Sequence, residues 1–90
     1  MKLFLVHCGF YDSEVAGGIY ESHVNYFVVA RDFDEAKSKI KENADFKTKK
    51  MHIDGLQQVD AVDGYRVTCE SESALAGQSV LVNYKHRQLA

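Results

Sequence analysis

Long hydrophobic runs are missing from this chain. The longest lies far below the roughly 20 residues of a membrane-spanning helix. Only four apolar residues separate Met1-Lys2 from His7, too few for the core of a secretion signal. Membrane insertion and export are therefore not expected, and a cytoplasmic location is. Cysteine is sparse, with only Cys8 and Cys69 in 90 residues. Small secreted scaffolds of this size carry more. Both cysteines sit in strand-like surroundings and read as reduced core thiols, with a Cys8–Cys69 disulfide as the alternative. Recognisable catalytic signatures are also missing. There is no nucleophile elbow, phosphate-binding loop, cysteine–histidine zinc pattern or dinucleotide fingerprint, and no cofactor is expected.

Charge is unevenly spread behind a net value of −2. Residues 37–50 hold Lys37, Lys39, Lys41, Lys47, Lys49 and Lys50 against Glu42 and Asp45. Such a block can attract nucleic acid. It lacks arginine and has only Phe46 as an aromatic, so a solvated helix face and exit loop is the preferred reading, and nucleic acid is not an expected partner.

What is present is alternation. In Lys2–Phe10, Phe4, Val6 and Cys8 fall on one face, and Leu3, Leu5 and His7 on the other. Two mostly apolar faces predict a central strand covered on both sides, and Gly9 marks a bulge or a close backbone approach. Tyr11–Gly18 reads as a loop, in which Tyr11 could line a pocket. Tyr20–Ala30 predicts a long strand antiparallel to the first. One of its faces runs from Glu21, His23 and Asn25 to Phe27 and Val29, which predicts an accessible polar end and a buried apolar end.

Asp32 begins a helix as its cap, with Glu35 three positions on. Phe33, Ala36, Ile40 and Ala44 form its apolar stripe, and its end is expected near Asn43. Glu35 with Lys39 and Lys37 with Glu42 are near-neighbour charges on it, and only the first pair has the favourable spacing. Asp63-Gly64 between apolar runs predicts a hairpin. A bulge near Asp60–Val62 reconciles the parity of the strand before it, and Asp54-Gly55 is a second candidate turn. Residues 71–79 read as a linker. Residues 80–90 form a tail whose Val80–Tyr84 run suits an edge strand or a strand exchanged with a second copy.

Two pairs carry the candidate chemistry. Glu21-Ser22-His23 and His52-Ile53-Asp54 each place a carboxylate and an imidazole two apart, on one face of a strand. If the strands are neighbours, four nitrogen and oxygen donors converge, which suits a divalent metal or acid–base work. The bland alternative is a hydrogen-bonded patch that sets strand register. The ligand-binding candidates are Glu21, His23, His52, Asp54 and Tyr11, and the first four are the candidate metal ligands.

The same segments resemble a family of short bacterial proteins known only as a domain of unknown function. The matching stretches are Lys2-Leu3-Phe4-Leu5-Val6, Glu21-x-His23 leading into Phe27-Val28-Val29, Asp32–Glu35, Met51-His52-Ile53-Asp54 and Val62-Asp63-Gly64-Tyr65-Arg66. The resemblance covers residues 2–70. It implies a domain present in one or two copies, and no known activity.

The expected fold is α+β over residues 1–70, in β-β-α-β-β order. One main helix packs on a mostly antiparallel four-stranded sheet. Such a sheet leaves its other face uncovered, so a homodimer is expected. The expected function is a non-catalytic binding or interaction module for a small molecule or protein. The alternative is a small metal-dependent or acid–base enzyme built on Glu21, His23, His52 and Asp54.

Overall fold

The computed structural model describes residues 1–89. Strand β1 (Lys2–Tyr11) is the middle strand of a three-stranded antiparallel sheet, flanked by β2 (Glu21–Ala30) and β3 (His52–Val59). The fold is α+β. Both flanking strands run antiparallel to β1 and therefore parallel to each other. A parallel pair needs a long crossover, which is supplied by α1 (Phe33–Lys41) and α2 (Ala44–Thr48).

The crossover covers one face of the sheet. Phe4, Val6 and Cys8 of β1 are fully buried beneath Ala36, Ile40 and Met51. Half-buried Val24, Tyr26 and Val28 of β2, with Ile53 and Leu56 of β3, complete this layer. Phe4, Val6 and Cys8 thus share one buried face as the pattern predicts, but Leu3 and Leu5 on the other face are only half-buried and His7 is exposed, so β1 is not covered on both sides. The opposite face differs from expectation at β2. Phe27 is 54 % exposed and Val29 39 % exposed, so the apolar end of that strand is not buried. Among the described residues no helix packs there; the approach of residues 77–81 to Leu3, Phe27 and Val29 leaves an open cleft.

The start of α1 follows from its cap. Asp32 accepts a hydrogen bond from the Glu35 amide at 2.8 Å. Glu35 turns back to accept from the Arg31 amide at 3.2 Å and pairs with the Arg31 guanidinium. The first bond occupies an amide that the first turn leaves without a partner, and the second ties the residue before the cap to the helix. The helix stops sooner than its stripe suggests. Asn43 is the cap of a second helix, accepting from the Phe46 amide at 3.1 Å. The chain therefore folds back, and Glu42 meets Lys47 at 3.1 Å instead of Lys37. Three members of the basic block are engaged locally. Lys39 donates to the Val29 carbonyl, Lys47 pairs with Glu42, and Lys49 lies over the Phe10 ring.

The expected fourth strand does not join the sheet. β4 (Ala61–Val62) and β5 (Tyr65–Arg66) form a separate two-stranded hairpin. Its turn is the expected one, with Asp63 at φ 52° and Gly64 at φ 81°, both in the left-handed region that this turn requires. Asp60 breaks the chain ahead of it. Its carboxylate accepts from the Gln58 side chain, and its carbonyl accepts from the Val67 amide. The sheet's bulge lies elsewhere. Register shifts opposite His7 and Cys8, where His7 faces Gly55 and Cys8 faces Ile53, leaving Asp54 as the extra residue. Asp54-Gly55 is therefore a bulge inside β3 and not a turn.

Cys8 is a buried free thiol, whereas Cys69 is free but half-exposed, outside the core. Val80–Tyr84 takes up no strand within the chain, and a short helix α3 (His86–Leu89) follows it. Ala90, the last residue of the expected tail, lies outside the described residues.

Candidate metal centre

The site lies on the face of the sheet away from the helices. Pairing places Gly9 of β1 opposite His23 of β2 and His52 of β3. Glu21 lies opposite Tyr11, two residues further along β1. On β3 the unpaired Asp54 brings its carboxylate to the same place.

The four side chains meet. His52 Nε2 is 2.7 Å from Glu21 Oε1 and 3.0 Å from Asp54 Oδ1. His23 Nε2 is 3.2 Å from Glu21 Oε1 and 3.2 Å from Asp54 Oδ2. All four groups remain partly open to solvent, with the histidines 41 % and 47 % exposed. Glu21 and Asp54 both face the two imidazoles, so each carboxylate is shared.

Gly9 makes the convergence sterically allowed. A Cβ added there would fall on Glu21 Oε1 and lie 2.6 Å from both His52 Nε2 and Asp54 Oδ2. The donor atoms thus crowd over bare backbone, as close approach to a strand glycine permits.

Tyr11 stands at the rim, its ring centroid 6.4 Å from that of His52. It is a wall and contributes no short polar contact to the cluster. His7 is the neighbour that sequence reasoning passed over. Its ring stacks on His23, with centroids 4.8 Å apart and planes within 6°. Its Nδ1 lies 2.6 Å from Asn25 Oδ1. Strand parity held the missed signal, because His7 and Gly9 share a face of β1, as His23 and Asn25 do on β2.

Two triplets of donors result. Glu21, His52 and Asp54 each offer an atom within 4.8 Å of the others, and so do His7, His23 and Asp54. Histidine nitrogen with carboxylate oxygen is a donor set that zinc and other first-row divalent ions accept.

A family described as Domain of Unknown Function (DUF1543) matches residues 19–69, more than half of the chain. The chain belongs to this family. The DUF1543 match contains β2, both crossover helices, β3 and the hairpin, and with them Glu21, His23, His52 and Asp54. β1 precedes it, so His7, Gly9 and Tyr11 come from outside the matched segment. No curated protein and no solved structure matches the chain.

Proposed function

We propose that this DUF1543 chain is a non-catalytic binding module that holds a divalent transition-metal ion at Glu21, His23, His52 and Asp54, and that it works as a homodimer in the cytoplasm. One observation carries the metal reading. Two imidazole nitrogens make four contacts of 2.7–3.2 Å to two carboxylates. Each nitrogen holds at most one proton, so two hydrogens are spread over four contacts. A divalent ion replaces both protons, gives each donor a full bond, and balances the formal −2 of the carboxylates when the imidazoles are neutral. Donor atoms about 2.0–2.1 Å from a tetrahedral ion lie roughly 3.3 Å apart. The four imidazole–carboxylate contacts, at 2.7–3.2 Å, lie close to that separation.

Thermal unfolding with and without zinc or manganese tests this. A ligand at about 100 times its Kd stabilises the folded state by about 2.7 kcal/mol. Wild type should gain stability, and Asp54→Ala, which removes the carboxylate common to both donor groups, should not. An identical Tm with and without metal in wild type refutes the reading. The site is open to solvent on one side, where an ion expanding to five-coordination could take up water or substrate, and this supports a second reading as a small metal-dependent enzyme. Metal-stimulated hydrolysis of a simple ester or phosphoester, lost in Asp54→Asn, would favour it.

Support for self-association comes from the sheet face away from the helices, which residues 77–81 approach without closing over. Exposed Phe27 and Val29 adjoin half-buried Leu3 and Leu5. A chain this small gains from covering such a surface. Light scattering on a sizing column should give twice the chain mass, and Phe27→Glu should give a monomer. A wild-type monomer at micromolar concentration refutes it. The free thiols of Cys8 and Cys69 support a reducing compartment.

A further inference from the structure

We infer that the centre takes two divalent metal ions, bridged by Asp54, with His7 as a ligand to the second. This rests on the metal reading of the same cluster and extends it in number of ions and in ligands.

The two oxygens of Asp54 face different partners. Oδ1 lies 3.0 Å from His52 Nε2, and Oδ2 lies 3.2 Å from His23 Nε2. Asp54 is also the residue common to both donor triplets. A carboxylate turned this way binds one ion through each oxygen. One position then belongs to Glu21, His52 and Asp54 Oδ1. The other belongs to His7, His23 and Asp54 Oδ2. Paired metals in such sites sit about 3.5–4 Å apart, a spacing that one bridging carboxylate spans.

Hydrogen bonding prepares His7 for the role. An amide oxygen only accepts, so the 2.6 Å contact with Asn25 Oδ1 requires the proton on His7 Nδ1. Pairing of Nδ1 with Asn25 leaves Nε2 as the His7 ring nitrogen not engaged by Asn25. Metal-binding histidines commonly donate their other N–H to a carbonyl or carboxylate in this way. The His7 and His23 rings stack with centroids 4.8 Å apart, so binding one ion requires one of these exposed rings to turn out of the stack and bring its in-plane lone pair onto the ion. Asn25 is here a positioning residue, acting through His7.

Equilibrium dialysis of the full chain against manganese, with metal counted per chain, tests the assignment. Wild type should hold two ions, and His7→Gln should hold one. Electron paramagnetic resonance of the manganese-loaded protein should show an exchange-coupled pair in wild type and an isolated ion in His7→Gln. His7 is exposed, and circular dichroism of the variant confirms that it folds. One ion per chain in wild type overturns the two-ion centre and leaves the single-ion reading standing. Two ions in His7→Gln overturn the role of His7. No ion in wild type overturns both readings.

Discussion

Gly9→Ala separates the site from the fold. The new Cβ would fall on Glu21 Oε1 and lie 2.6 Å from His52 Nε2 and Asp54 Oδ2. Ordinary carbon contacts are about 3.5–4.0 Å, so these atoms must move by about 1 Å or more. They sit at the ends of side chains with open solvent beside them, and can swing away without disturbing the core. The stability terms are small and opposed. Replacing a strand glycine by alanine gains about 0.5–1 kcal/mol through the unfolded chain. Exposed histidine–carboxylate contacts return at most about 1 kcal/mol each, and many return nothing. With four such contacts, the net change should lie between a gain of about 1 and a loss of about 3 kcal/mol. Metal coordination tolerates only about 0.2 Å of error in ligand distance. Metal affinity should therefore fall by about 100-fold or more, beyond the 10–100-fold loss seen on disturbing the residues that support ligands. Calorimetric titration with zinc reads the affinity, and thermal unfolding of the metal-free protein reads the stability. Wild-type metal affinity in Gly9→Ala would refute the reasoning, because the four donors could then not be meeting over Gly9.

Asp32→Ala removes the cap to the Glu35 amide and should cost about 1 kcal/mol in denaturant unfolding; an unchanged midpoint would count against the cap. The Arg31 side chain, hydrogen-bonded to Glu35, holds that carboxyl below its ordinary value. Its stabilising contribution is therefore complete above the unfolded carboxylate value and is lost as pH falls through the folded one. Glu35→Gln should flatten the acid limb of a plot of stability against pH, and an unchanged limb would exclude the pair from it. Burial, and secondarily the Asp54 charge, pushes the Cys8 thiol up, while Cys69 is half-exposed. A thiol reagent at neutral pH should label Cys69 first and reach Cys8 only on unfolding; equal rates would contradict the burial of Cys8.

What the sequence by itself determined is local. The alternation that buries Phe4, Val6 and Cys8, the Asp32 cap and the left-handed pair Asp63-Gly64 all depend on residues within a few positions of one another. Side-chain direction, capping and turn geometry are settled over such distances. The fold class followed from the order of these elements. Tertiary structure decided the rest. Glu21 and His52 are far apart in sequence and meet only because β1 lies between β2 and β3. Nothing local dictates which strands become neighbours. The bulge at Asp54 depends on register against β1, so Asp54-Gly55 taken alone resembles a turn. The hairpin forms its own two-stranded sheet, and its pairing extends to the bond from the Val67 amide to the Asp60 carbonyl. His7 was hidden as well. Beside Cys8 in sequence it faces the other way, and its true neighbours, His23 and Asn25, lie on another strand. A strand's own residues state which face each side chain occupies. Only the pairing of strands states what it finds there.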